Sequence, residues 1–97
     1  MTFKKFDQDK VKLSLLPWKA IRIVTRVLMF GVEKYGENNW KLCDDRDRYV
    51  NAALRHITDY IEGEKKDPET NLSPIAHAIC DLLFVLHFEL EDEVQAD

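Results

Sequence analysis

Apolar positions recur at helical spacing in three stretches of this chain, with polar connectors between them. No stretch alternates with period two, and no segment repeats. The first pattern opens at Pro17, whose ring suits the first position of a helix, runs to about Tyr35 and stops at Gly36. Ile21, Val24, Leu28, Val32 and Tyr35 carry its stripe. Ala20, Ile23, Val27 and Phe30 widen it to two apolar faces, leaving Arg22, Arg26 and Glu33 on the polar side. The second pattern covers about residues 47–62, with an acidic cap among Asp44, Asp45 and Asp47 and a stop at Gly63. Val50, Ala53, Leu54, Ile57 and Ile61 form its core stripe. Tyr49, Ala52, His56 and Tyr60 flank that stripe, while Arg55, Asp59 and Glu62 face away. The third starts most clearly, with Ser73 as N-cap and Pro74 as first helical residue, and continues to Leu90.

From Ile75 to Leu90 the third helix is apolar nearly all round, so it needs neighbours on several sides. Three helices in 97 residues give too little cover. The expectation is an all-α fold: a single domain over 1–97, a small helical bundle of three main helices completed by homo-oligomerisation, most simply a two-fold dimer, with a tetramer as the other choice. Residues 1–16, with Phe3, Phe6, Val11, Leu13, Leu15 and Leu16, read as an extended arm or short strand packed on the bundle. The charged tail 91–97 reads as frayed.

Composition narrows the function classes. The chain is 45% apolar and 33% charged, which excludes wholesale disorder. A net charge of −4 argues against general binding to nucleic acid or anionic lipid, because both need a positive field. No uncharged run reaches the ~18 residues that a membrane span needs. Cys43 and Cys80 lack metal-ligand spacing. Without an apolar leader they read as free thiols of the cytoplasm.

Polar residues interrupt the pattern where a core belongs. Asp81 lies between Cys80 and Leu82 in the most apolar segment, and a buried carboxylate there must meet a cation or strong donors. His77 lies one turn earlier on the same face. The two resemble half of a metal or phosphate site in a bundle core. The alternative is an ion pair of Asp81 with Arg55 or Lys34, with His77 a hydrogen-bonded core histidine. His56, next to Arg55, borders the second helix's core stripe beside small residues that leave room for a ligand; His87 alone reads as a packing residue. The connector at 63–71 carries Glu64, Asp67 and Glu69 to the third helix's N-terminus, where phosphates are favoured and carboxylates would be offset by Mg2+. After the first helix, Lys34 could hold a phosphate, and Tyr35, Asn38, Asn39 and Trp40 suit a planar base by stacking and amide contacts; Trp40 as a core plug is the alternative.

The ordered series resembles a known family. Phe6-Asp7, Lys10, Leu15-Leu16-Pro17, Phe30-Gly31, Lys34-Tyr35-Gly36 and Asn39-Trp40 make up its N-terminal half. Arg55-His56, Gly63-Glu64, Asp67 with Glu69, and Ala76-His77-Ala78 make up the rest. Over about residues 3–90 the chain is similar to phage-associated dATP/dGTP diphosphohydrolases, grouped with the MazG-like all-α nucleotide pyrophosphohydrolases.

The resemblance implies metal-assisted hydrolysis of a purine deoxynucleoside triphosphate to the monophosphate and pyrophosphate, with water attacking the α-phosphorus. It implies catalysis by Asp81, His77 and His56, metal ligation by Glu64, Asp67, Asp81 and His77, and substrate binding by Lys34, Asn39, Trp40 and Arg55. The cofactor is Mg2+ first and Mn2+ second; the partners are the nucleotide and further copies of the chain, with neither nucleic acid nor membrane. Asp81-Leu82-Leu83-Phe84 matches the ending of the MazG-like E-x-x-D helix, but Ala78 stands where its glutamate belongs. Asn71 and Pro74 stand where the closer family leads one to expect Gly and often His. Both metal and phosphate stay open as ligands of His56 and His77. Two other readings are a non-catalytic helical interaction module of a phage and a pyrophosphohydrolase acting on another nucleotide.

Overall fold

The computed structural model describes residues 1–95, and within them every regular element is helical. Helix α1 spans Trp18–Tyr35, α2 Asp47–Ile61 and α3 Pro74–Gln95, with 3-10 turns at Leu13–Leu15 and Asn39–Leu42. Three helices at the expected places confirm the all-α reading.

The boundaries follow local chemistry. Pro17 stands one position outside α1 rather than inside it, with its carbonyl accepting the Ile21 amide. Gly36 ends α1 at φ 96°, and Gly63 follows α2 at φ 108°; a side chain at either position would meet its own backbone. Ser73 Oγ accepts the Ile75 amide at 3.1 Å, as an N-cap should. At α2 the cap residue is Arg46, without a side-chain bond, and Asp45 instead accepts the Asp47 amide at 3.1 Å.

Helix α3 is the common partner and packs against both α1 and α2. Val24 and Val27 of α1 meet Ala76 and Cys80 of α3 in the core, with Ile23, Leu28, Leu72 and Phe84 closing around them. Ala53 on α2 and Ala78 on α3 are also buried. Small side chains at helix contacts let the axes approach, which brings polar groups of α2 and α3 within reach of one another.

Two expectations change. Residues 1–16 form no strand, and Phe3, Phe6, Val11, Leu13 and Leu15 are exposed rather than packed on the bundle. The arm's apolar side chains have no surface of this chain against them, because α1 begins directly after it and turns its core face toward α3. The tail does not fray at Glu91: α3 continues to Gln95, and an Arg46–Asp92 ion pair ties its last turns to the start of α2. The last two residues of the expected frayed segment, 96 and 97, lie outside the described residues.

The chain by itself leaves much apolar surface uncovered. Its radius of gyration is 16.9 Å, against about 12.5 Å for a compact chain of this length. Its accessible surface is 8192 Å², about 2,400 Å² more than a compact monomer of this mass exposes. Ile79, Leu82, Leu86 and Leu90 contribute along one face of α3 and are each about half exposed.

Candidate functional site

Asp81 enters the bundle in the third turn of α3, with its side chain 14% exposed. Its Oδ2 atom is fully buried and has no hydrogen-bond partner, the single such side-chain atom among the described residues. Burial pushes its pKa up to about 7, and the charge of Arg55 offsets only part of that. Neither Arg55 nor Lys34 forms the ion pair that was the alternative for this carboxylate. Arg55 is exposed on α2, and Lys34 donates to Glu69 Oε1 at 2.9 Å. The Glu69 bond also holds the Lys34 ammonium above its ordinary pKa.

What lies beside Asp81 is imidazole. His56 Nε2, from α2, is 4.0 Å from Asp81 Oδ2. The His56 ring stacks on that of His77 with centroids 4.7 Å apart and planes 26° from parallel. Residues 21 positions apart in sequence thus share one stack, because α2 and α3 pack against each other.

The far end of the stack is built by the α2–α3 connector. Asp67 Oδ2 accepts the amides of Glu69 and Thr70, each at 3.0 Å, and the Thr70 hydroxyl at 3.3 Å. Burial alone would raise Asp67, but the Thr70 amide, His77 and the Glu69 amide together hold it below the usual range. Asn71 closes this turn at φ 60°, where the resemblance leads one to expect glycine, because asparagine tolerates the left-handed region. Thr70 Oγ1 lies 2.7 Å from His77 Nε2. A Thr70 proton given to Asp67 would have His77 donate from Nε2 and leave a free lone pair on its Nδ1. Burial lowers the His77 pKa, against the pull of Asp67, and favours that neutral ring.

Glu64 lies nearby but at another edge. Its amide donates to the Asp59 carbonyl at 3.0 Å. Burial first, then the charges of Asp59 and Asp67, raise its carboxyl. Of the ligand set expected from the resemblance, Asp67, His77 and Asp81 lie along the histidine stack and Glu64 at another edge, rather than all four around one point. Among the described residues no three His, Cys, Asp or Glu side chains are grouped to hold a metal ion. One Asp67 oxygen is committed to its turn. The carboxylate oxygen left without a partner is Asp81 Oδ2.

A cavity of about 670 Å³ between α1, α3 and the 36–40 turn reaches Asp81 and His77. That volume suits a nucleotide-sized ligand. Phe30, Tyr35, Trp40 and Phe84 give it aromatic walls, and Lys34 and Asn39 line it. Trp40 stacks on Phe84 at 4.3 Å and meets His87 edge-on at 4.9 Å, so it is a packing residue and a wall at once. His87 also pairs with Glu91 at 3.0 Å, one turn on. Burial pushes the Cys80 thiol up to about 12, too high for a nucleophile near neutrality.

The structure therefore joins Asp81, His56, His77 and Asp67 in one line, with Lys34, Asn39 and Trp40 on the cavity. Arg55 lies instead on a second cleft, also reaching Asp81. Sequence reasoning passed over Thr70 and set Asp59 aside on the outer face of its helix. Thr70 was readable in principle: it stands three residues after an aspartate in a polar turn, where a side chain bonds forward to the backbone. The nearness of Asp59 to Glu64 was not, since only the return of the chain at Gly63 brings the two together.

Over residues 2–97 the chain matches the family model described as dATP/dGTP diphosphohydrolase, N-terminal. It is 39% identical over 85 residues to the dATP/dGTP diphosphohydrolase of Salmonella phage PMBT28, covering 88% of this chain and 29% of that protein. The chain thus spans less than a third of that relative's length. No solved structure matches it.

Proposed function

From a chain that belongs to the dATP/dGTP diphosphohydrolase N-terminal family, we propose a domain that hydrolyses a purine deoxynucleoside triphosphate to its monophosphate and pyrophosphate. The observation that carries this reading is the unpartnered Asp81 Oδ2 beside the histidine stack, at a cavity of nucleotide size. A carboxylate with pKa near 7 accepts a proton from water at neutral pH and releases it again. Water oxygen bonds to the α-phosphorus, the bond from that phosphorus to the bridging oxygen breaks, and pyrophosphate leaves with the bonding pair. The proton lost by water passes to Asp81. His56 and His77 hold that proton acceptor in place, and Thr70 and Asp67 fix the tautomer of His77. The base lies against Trp40 and Asn39, and Lys34 exchanges Glu69 for phosphate oxygen at the cavity edge.

Mg2+, with Mn2+ second, would be carried by the triphosphate and would neutralise its phosphate charge, leaving Asp81 to take the proton. No helix among the described residues is long and apolar enough to cross a membrane. With Cys43 and Cys80 free, we place the protein in the cytoplasm, the host's if it is phage-encoded. Its uncovered α3 face supports a homodimer or homotetramer.

The test is pyrophosphate release from a panel of nucleoside triphosphates with Mg2+ or Mn2+. Release from dATP or dGTP ahead of the pyrimidine nucleotides is expected. Release from none of them overturns hydrolysis and leaves a helical interaction module.

The pH profile follows from the same carboxyl. Asp81 must be ionised to take the proton, and its pKa is raised, so acid withdraws it early. Turnover should fall about tenfold per pH unit below an apparent pKa near 7. A kcat profile flat down to pH 5 would remove Asp81 as the acceptor.

A further inference from the structure

The aromatic cavity has a polar neighbour. A second cleft of about 770 Å³ lies between α2 and the 39–44 turn, and it shares Tyr35, Asn39, Tyr49 and Asp81 with the first. These four residues form the common wall, so the Asp81 carboxylate stands where the two spaces meet. The cations are divided unequally. The aromatic cavity has Lys34, already tied to Glu69. The second cleft has Arg48 and Arg55, seven residues apart on α2. That spacing puts them on one face, two turns or about 10 Å apart. Among the described residues neither guanidinium makes an ion pair or a side-chain hydrogen bond.

We propose that this cleft is the pyrophosphate subsite: Arg48, with Arg55, binds the β- and γ-phosphates of the substrate and afterwards the pyrophosphate product. This rests on the hydrolytic reading above and adds Arg48 to its residues. The guanidinium fork matches phosphate oxygens two at a time, and two long arginine side chains from one helix face converge on a single diphosphate. A triphosphate running from the aromatic cavity into the cleft carries its α-phosphorus past Asp81, the shared wall, which is where attack must occur. Asp44 also lines the cleft, and a divalent cation carried by the diphosphate would offset its charge.

Isothermal titration with inorganic pyrophosphate in Mg2+, and separately with dGMP, tests this on the full chain. Wild-type protein is expected to bind both. Arg48→Ala should weaken pyrophosphate binding about ten- to hundredfold and change dGMP binding less than twofold. Arg48→Lys should recover part of the loss, and Arg48→Gln, similar in length and neutral, should behave like alanine. Pyrophosphate affinity within twofold of wild type in a folded Arg48→Ala overturns the subsite, as does equal loss of both ligands or no pyrophosphate binding by wild type. The two readings fail separately. Pyrophosphate bound through Arg48, with no turnover of any nucleotide, keeps the subsite and sinks hydrolysis. Normal turnover with an indifferent Arg48 sinks the subsite alone.

Discussion

Asp81→Asn should abolish pyrophosphate release while making the protein harder to unfold at pH 8. The amide has nearly the carboxylate's shape, but it takes no proton from water, so turnover should fall by about 10²–10⁴ or more. The stability gain comes from the same burial that tunes the acid. Folded Asp81 titrates at about 7, against 3.8 for the ordinary side chain. Between those values the folded state holds a proton that the unfolded state has released. Stability therefore falls as pH rises from about 4 to about 7, and the full cost of the buried charge stands above that. The gap corresponds to about 4 kcal/mol at most, and the buried amide that replaces the acid takes back part of it, leaving about 2 kcal/mol. For a chain this size that raises the melting temperature by roughly 10 °C. Thermal unfolding of both proteins at pH 5 and pH 8 checks it: the difference should shrink at pH 5, where wild-type Asp81 is protonated. Retained turnover would take Asp81 out of the chemistry. A lower melting temperature at pH 8 would show that its carboxylate is satisfied in solution.

A charge placed on the outer face of α3 should have the second large effect. Ile79, Leu82, Leu86 and Leu90 recur on one side of that helix and are about half exposed. The chain's surface exceeds that of a compact monomer by about 2,400 Å², an excess that this face shares with the exposed arm. A second copy of the chain covers that face in our reading. Leu82 and Leu86 are one turn apart and line none of the clefts described above. Leu82→Glu with Leu86→Glu would force two carboxylates into an apolar contact, at several kcal/mol each. The variant should sediment at the 11.4 kDa of one chain and melt at least ~15 °C lower or lose its cooperative transition. The wild type should sediment as a dimer or larger, with a melting temperature that climbs with protein concentration. A wild-type monomer with a concentration-independent transition would show that the face needs no second copy.

Local rules sufficed for much of this protein. Ser73 and Pro74 start α3, and Gly36 and Gly63 allow the turns after α1 and α2, because caps and positive φ depend on a few adjacent atoms. The oddity of Asp81 was legible for the same reason: an acid among Cys80, Leu82 and Leu83 is out of place whatever surrounds the helix. The arm shows the limit. Its apolar residues promised packing, but hydrophobicity does not say which surface is within reach, and this chain offers them none.

Meetings across the fold were decided elsewhere. The stacking of His56 on His77, the Thr70 link to Asp67, the capture of Lys34 by Glu69 and the solitude of Asp81 Oδ2 depend on how closely α2 approaches α3 and on the path of the 63–73 connector. Helical period fixes direction around one axis only. Which polar groups then face each other is set by the packing of buried alanines, valines and Cys80 between the helices, whose side chains carry no record of the carboxylates and imidazoles they bring together.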